Sequence, residues 1–132
     1  MKQAVIENGR ARFALEAVNH FVNVTAKDND KTKKEYKSYA RKFPALVMSN
    51  GLAATLAFAF EKGGAWSSLY DNLSDWLTGN GYFPKPEKHE DLMKFVCSCD
   101  SDKYRLVTGE VLALFKWLRR FASGLIEGEA DV

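Results

Sequence analysis

The stretch from Lys42 to Phe60 constrains the fold more than any other part of the chain: a proline start, Lys42-Phe43-Pro44, leads into an apolar run interrupted by Asn50-Gly51. Asn-Gly between apolar runs is a two-residue hairpin signal. The alanine and leucine content, and the helical spacing of Val47, Leu52, Leu56, Phe58 and Phe60, argue for helix instead. Asn50-Gly51 is therefore read as lying inside or beside a buried helix. Gly51, without a Cβ, would permit close approach of a neighbour, and Asn50 would bond a helix end or a ligand. Pro44 cannot continue a preceding hydrogen-bond ladder but suits a first turn, so the spacing predicts a helix over Pro44–Lys62, apolar on nearly every side and central in a bundle.

The rest of the chain is helical by the same reasoning, because no useful length shows the period-2 alternation of a strand. A first helix is predicted from Lys2 to Val24, with Ala11, Ala14, Leu15, Val18, Phe21 and Val22 on its apolar face and Arg12 and Glu16 paired on another. A second runs from Lys31 to Phe43, with Tyr36, Tyr39 and Phe43 in one apolar arc and lysines and arginines opposite. A fourth spans Trp66–Thr78, burying Trp66, Leu69, Tyr70, Leu73, Trp76 and Leu77. A short fifth covers Glu87–Cys97. The last begins near Thr108 as N-cap, with Glu110 in its first turn, where the helix dipole favours an acid. Gly79-Asn80-Gly81 and Pro84-Lys85-Pro86 form the longest loop. The sum is an all-α, single-domain helical bundle of five to seven helices over residues 1–132.

Composition narrows the function classes. The chain is 46% apolar and 27% charged, ordinary for a soluble globular domain. No apolar run reaches the roughly 18 residues of a membrane span, and Met1–Ile6 is followed at once by Glu7-Asn8 rather than by a signal-peptide core, so a cytoplasmic location is expected, with no membrane partner. Cys97 and Cys99 are too few and too close for a disulfide framework. Chemistry is sparse. His89 with Cys97 and Cys99 lacks a standard zinc spacing, and no metal or other cofactor is expected. His20 reads as a boundary residue of the first helix. Asp100 and Asp102 invite a two-carboxylate reading but sit in a turn, where aspartate caps helices. Trp66, Trp76 and Trp117 fall at core spacing rather than on a base-stacking platform. No nucleophile elbow, phosphate loop or metalloprotease motif occurs, and neither catalytic residues nor a small-molecule substrate are expected.

Charge carries the stronger signal. Between Lys27 and Lys42 there are seven basic residues (Lys27, Lys31, Lys33, Lys34, Lys37, Arg41, Lys42) against three acids (Asp28, Asp30, Glu35), on a chain whose net charge is only +2. Lys116, Arg119 and Arg120 share one face of the last helix. If the two faces are neighbours, Lys34, Lys37, Arg41, Lys42, Lys116, Arg119 and Arg120 make a groove suited to a phosphate backbone. A helical DNA-binding regulator reading through the last basic helix is the alternative. Arg119 and Arg120 fall late in that helix, whereas groove-reading contacts come from the N-terminal part.

Two blocks of residues resemble a known family. Tyr36-x-x-Tyr39-Ala40-Arg41-Lys42-Phe43-Pro44-Ala45-Leu46-Val47-x-x-Asn50-Gly51-Leu52-Ala53-x-x-Leu56-Ala57-Phe58 looks like the signature of the small α-helical subunit of type III-B CRISPR effector complexes, the Cmr small-subunit family. Tyr104-Arg105-x-x-Thr108-x-Glu110-x-Leu112-Ala113-Leu114-x-x-Trp117-Leu118-x-Arg120-Phe121-Ala122 agrees with it, as do the spacing between the blocks and the chain length. The resemblance implies a non-catalytic subunit that stacks head to tail as an inner filament. Its partners would be the backbone subunit, the large subunit, further copies of itself, CRISPR RNA and target RNA, in antiviral defence. Pro44, Asn50 and Gly51 become candidates for a subunit contact or a structural motif. The acidic tail (Glu127, Glu129, Asp131) is expected to meet a basic face of another copy.

Overall fold

The computed structural model describes the backbone of residues 2–129 and the side chains of residues 7–129. These form six α-helices and no strand: α1 (Lys2–His20), α2 (Asp30–Asn50), α3 (Leu52–Lys62), α4 (Gly64–Gly79), α5 (Asp91–Ser98) and α6 (Ser101–Leu125). Asp131 of the expected acidic tail lies outside the described residues. α1 runs against α6, α2 packs on both α6 and α4, and α3 touches α2, α4 and α5.

Aromatic stacking knits the core. Phe43 of α2 stacks on Phe115 of α6 at 4.4 Å between centroids, Phe21 on Tyr36 at 4.1 Å, and Tyr39 on Trp66 at 4.3 Å. The buried face expected for the fourth helix is the one observed, from Trp66 through Leu77. Tyr36, fully buried, donates its hydroxyl proton to Asn72 Oδ1 at 2.7 Å, so the polar end of an otherwise apolar side chain is satisfied. Burial raises its pKa.

Four boundaries differ from the sequence expectation, each for a physical reason. Pro44 does not start a helix: it lies within α2, which continues to Asn50. Tyr36, Ala40, Phe43 and Val47 make one buried stripe on both sides of the ring. Burying side chains such as Phe43 and Val47, roughly 1.5–3 kcal/mol each, outweighs a proline penalty of about 3 kcal/mol. The break comes seven residues later, at Gly51, whose φ of +88° no ordinary residue adopts easily. The Gly51 N–H closes α2 on the Val47 carbonyl, and the Gly51 carbonyl accepts from Thr55 Oγ1 at 2.8 Å. Tyr104 Oη accepts from the Ala53 N–H at 3.0 Å, capping α3 from across the bundle. A Cβ at Gly51 would stand 3.1 Å from that hydroxyl, so the close approach expected of this glycine is made by a side chain. α3 buries Leu52, Thr55, Leu56 and Ala59 and leaves Ala54 and Ala57 exposed.

α6 begins at Ser101, not near Thr108. Asp100 Oδ1 accepts from the Lys103 N–H at 2.8 Å, the N-cap role that aspartate performs well, while Thr108 sits in mid-helix with a buried hydroxyl that lacks a partner. α5 begins at Asp91, whose Oδ2 accepts the N–H groups of Glu87 and Lys88, both at 2.9 Å. Those bonds lower the Asp91 pKa and shape residues 87–90 into a turn that precedes the helix. The first helix changes its winding at Phe21: residues Phe21–Thr25 form a π-helical turn closed by the Ala26 N–H on the Phe21 carbonyl at 2.8 Å, which keeps Phe21 and Ala26 inside.

Candidate nucleic-acid interface

The packing of α2 on α6 puts the two helices that carry the basic faces side by side, but their cations have unequal surroundings. Lys42, Arg119 and Arg120 are exposed and make no ion pair among the described residues. Lys116 is exposed, with its Nζ 3.4 Å from Glu7 Oε2 of α1 and 5.7 Å above the Trp117 ring. These four remain on the surface, where a polyanion can reach them.

The cations of α2 on its C-terminal-segment side are already engaged. Lys37, expected on a solvated face, is only 9% exposed. Its Nζ donates to the carbonyls of Ile126 at 3.1 Å and Gly128 at 2.9 Å, because the chain leaving α6 turns back across α2. Arg41 donates from Nη2 to Glu129 Oε2 at 3.0 Å, and that contact lowers the Glu129 pKa. Lys34 is half-buried, with its aliphatic end against Gly128. Of the expected acidic tail, Glu129 therefore meets a basic face within the same chain. Asn50 is exposed beside a shallow apolar groove formed with Leu46, Ala54, Thr55 and Phe58.

A second polar centre lies under the surface and was misread from sequence. Glu110, assigned to a first helical turn, stands in the middle of α6 and is 7% exposed. Arg10 of α1 approaches it with two parallel bonds, Nε to Oε2 and Nη2 to Oε1, both at 2.9 Å. Trp76 of α4 donates Nε1–H to Oε2 at 2.7 Å, and the Tyr82 hydroxyl donates to Oε1 at 3.4 Å. The Arg10 bond holds the Glu110 pKa below the ordinary glutamate range against the opposing effect of burial, and Glu110 in turn raises that of Arg10. Trp76 is thus a structural donor, 8% exposed. One signal for this centre was available: Glu110 interrupts the helical series Val107, Val111, Leu114 and Leu118, and an acid inside an apolar stripe requires a partner. Arg12 and Glu16, the pair expected on α1, are both exposed and form no ion pair among the described residues.

The remaining sequence candidates have local duties. His20 is exposed. His89 Nε2 lies 2.7 Å from Asp71 Oδ1, and its ring packs on Phe60 and Tyr70. Cys97 is exposed, and the Cys99 thiol donates to the Phe95 carbonyl at 3.3 Å. Asp100 caps α6, while Asp102 pairs with Arg105 at 2.8 Å. Among the described residues no group of three or more His, Cys, Asp or Glu side chains is placed to hold a metal ion.

The chain is similar to known proteins in both sequence and fold. Residues 6–125 match the family model described as CRISPR-associated protein (Cas_Cmr5). The CRISPR system Cmr subunit Cmr5 of Thermus thermophilus is 31% identical over 119 residues, which is 89% of this chain and 98% of that protein. The X-ray crystal structure of a CRISPR-associated Cmr5 family protein from the same organism is similar with a TM-score of 0.74 and 28% identity, over 92% of this chain and 97% of that one.

Proposed function

The chain belongs to the CRISPR-associated Cmr5 family, and on that premise we propose that it is the non-catalytic small subunit of a type III-B, RNA-guided, RNA-targeting effector complex acting in antiviral defence in the cytoplasm. Copies of it stack as an inner filament beside the backbone and large subunits and line the path of the target RNA. The observation that carries this reading is the family match over residues 6–125, supported by agreement of the helical scaffold at a TM-score of 0.74. None of the described helices is long and apolar enough to cross a membrane.

The surface suits the role. Lys42, Lys116, Arg119 and Arg120 present charge to a phosphate backbone without a device for reading bases, as a subunit serving any guide sequence requires. Met48 of α2 and Leu106 of α6, 74% and 55% exposed, offer apolar area for a contact with another subunit. Co-purification tests the proposal. The chain should elute in several copies with the backbone subunit and CRISPR RNA, and elution as a separate species would refute it. Target-RNA affinity of the assembled complex should fall when Arg119 and Arg120 are replaced by glutamate. Four phosphates neutralised on a single strand correspond to a log–log salt slope of roughly −2.8.

A further inference from the structure

Beyond α6 the chain folds back along α2 and covers part of its basic face. Ile126 is buried, and the carbonyls of Ile126 and Gly128 accept the two bonds from Lys37 Nζ. Gly128 then takes a φ of +80°, in the left-handed region that favours glycine, and Glu129 comes to rest on Arg41 at 3.0 Å and 3.9 Å from Lys37 Nζ. A carboxylate thus occupies the place between two cations that a phosphate would take. The two halves of this clasp are held unequally. Lys37 is buried, so withdrawing its carbonyl acceptors would strand an ammonium inside the protein. The Arg41 and Glu129 side chains are 49% and 67% exposed, and such a pair is weak and screened by salt. The segment is anchored by the Ile126 and Gly128 carbonyls on Lys37, and the Glu129 side chain is the part that can be released.

We infer that Glu129 is a built-in stand-in for a nucleic-acid phosphate: in the isolated chain it covers Arg41, and single-stranded RNA displaces it there. The inference rests on the nucleic-acid reading of the basic faces given above. Lys34, Lys37 and Arg41 recur at i, i+3 and i+7, spanning about 10 Å of helix rise, and Lys42 lies one residue further on. Lys37 stays buried on its carbonyls, so the cations a strand can reach here are Arg41, Lys42 and the half-buried Lys34, which suit a strand with many phosphates better than a lone carboxylate from another protein. A tethered carboxylate competes at an effective concentration in the millimolar range, enough to reject isolated anions and too little to resist a polyanion.

Binding of the isolated full-length chain to a fluorescein-labelled oligouridylate, followed by anisotropy over a salt series, tests this. Glu129→Gln should bind about threefold tighter, because the same phosphate meets Arg41 without a competing carboxylate to displace. Gly128→Ala, which strains the turn and sets a Cβ 2.9 Å from Lys34 Cε so that this side chain must shift outward, leaves the charge unchanged and should move affinity in the same direction. Glu61→Gln, an exposed α3 site with the same charge change, should leave it unaltered. In an Arg41→Gln background the Glu129→Gln gain should vanish. Equal gains for Glu61→Gln and Glu129→Gln, or no gain for Glu129→Gln, would overturn the inference. So would binding by none of these proteins. A gain for polyglutamate alone would also overturn it, in favour of an acidic protein partner. Assembly with the backbone subunit is measured separately by co-purification, so the inference and the functional proposal can fail independently.

Discussion

Arg10 meets Glu110 at 2.9 Å, and Arg41 meets Glu129 at 3.0 Å; nearly equal distances enclose different physics. The first pair lies between α1, α4 and α6, shielded from water, with both carboxylate oxygens accepting from Arg10 and further donors arriving from Trp76 and Tyr82. The second lies on the surface, with one bond from Arg41 and solvent on most sides. Burial and the number of donors separate an interaction that holds the fold from one that a ligand can replace.

Removing each acid tests that contrast. The largest effect is expected from Glu110→Ala, which leaves the Trp76 N–H without its acceptor and the Arg10 guanidinium with Glu7 alone at 2.7 Å. A loss of about 3 kcal/mol is expected, read from the urea midpoint at constant m-value. Trp76→Phe should cost about 2 kcal/mol, because it removes a bond to a charged acceptor and part of the ring packed on Phe13. If Trp76→Phe is as damaging as Glu110→Ala, ring packing rather than the carboxylate dominates the centre.

Acid unfolding bears on the same point. The Glu110 pKa is lowered in the folded chain, so its stabilisation is fully present above the ordinary glutamate value of 4.5 and is lost as pH falls through the lower folded value. Glu110→Gln should therefore flatten part of the decline in urea midpoint below pH 4.5, and an unchanged acid slope would count against the pairing. Glu7, Asp91 and Glu129 also have lowered values, so some slope remains in the variant. The smallest effect belongs to Glu129→Gln, which should leave the urea midpoint at neutral pH unchanged within error. A clear drop would make the C-terminal clasp part of the fold.

The all-α class, the buried side of α4, the stripe of α2 and the family were legible in the chain, because helical periodicity and residue motifs are local properties. The α6 cap at Asp100 was legible as a capping turn, although the helix itself was started too late. The Pro44 boundary was misplaced because a local penalty was weighed without the burial of Tyr36, Phe43 and Val47 that offsets it. The Gly51 break could be suspected from Asn-Gly, but its direction depends on Tyr104, 53 positions away in sequence.

Local pattern was enough to say which faces are apolar, which helices carry the cations and which family the chain resembles. Which charges remain available was settled by packing alone. Lys34, Lys37 and Arg41 look equivalent by spacing, yet one packs on Gly128, one is buried under two carbonyls and one is held by Glu129. Likewise Glu110 and Glu129 are the same residue type with opposite roles. Availability and burial depend on segments brought together from opposite ends of the chain, Arg10 with Glu110 and Lys37 with Gly128, and no local pattern encodes those meetings.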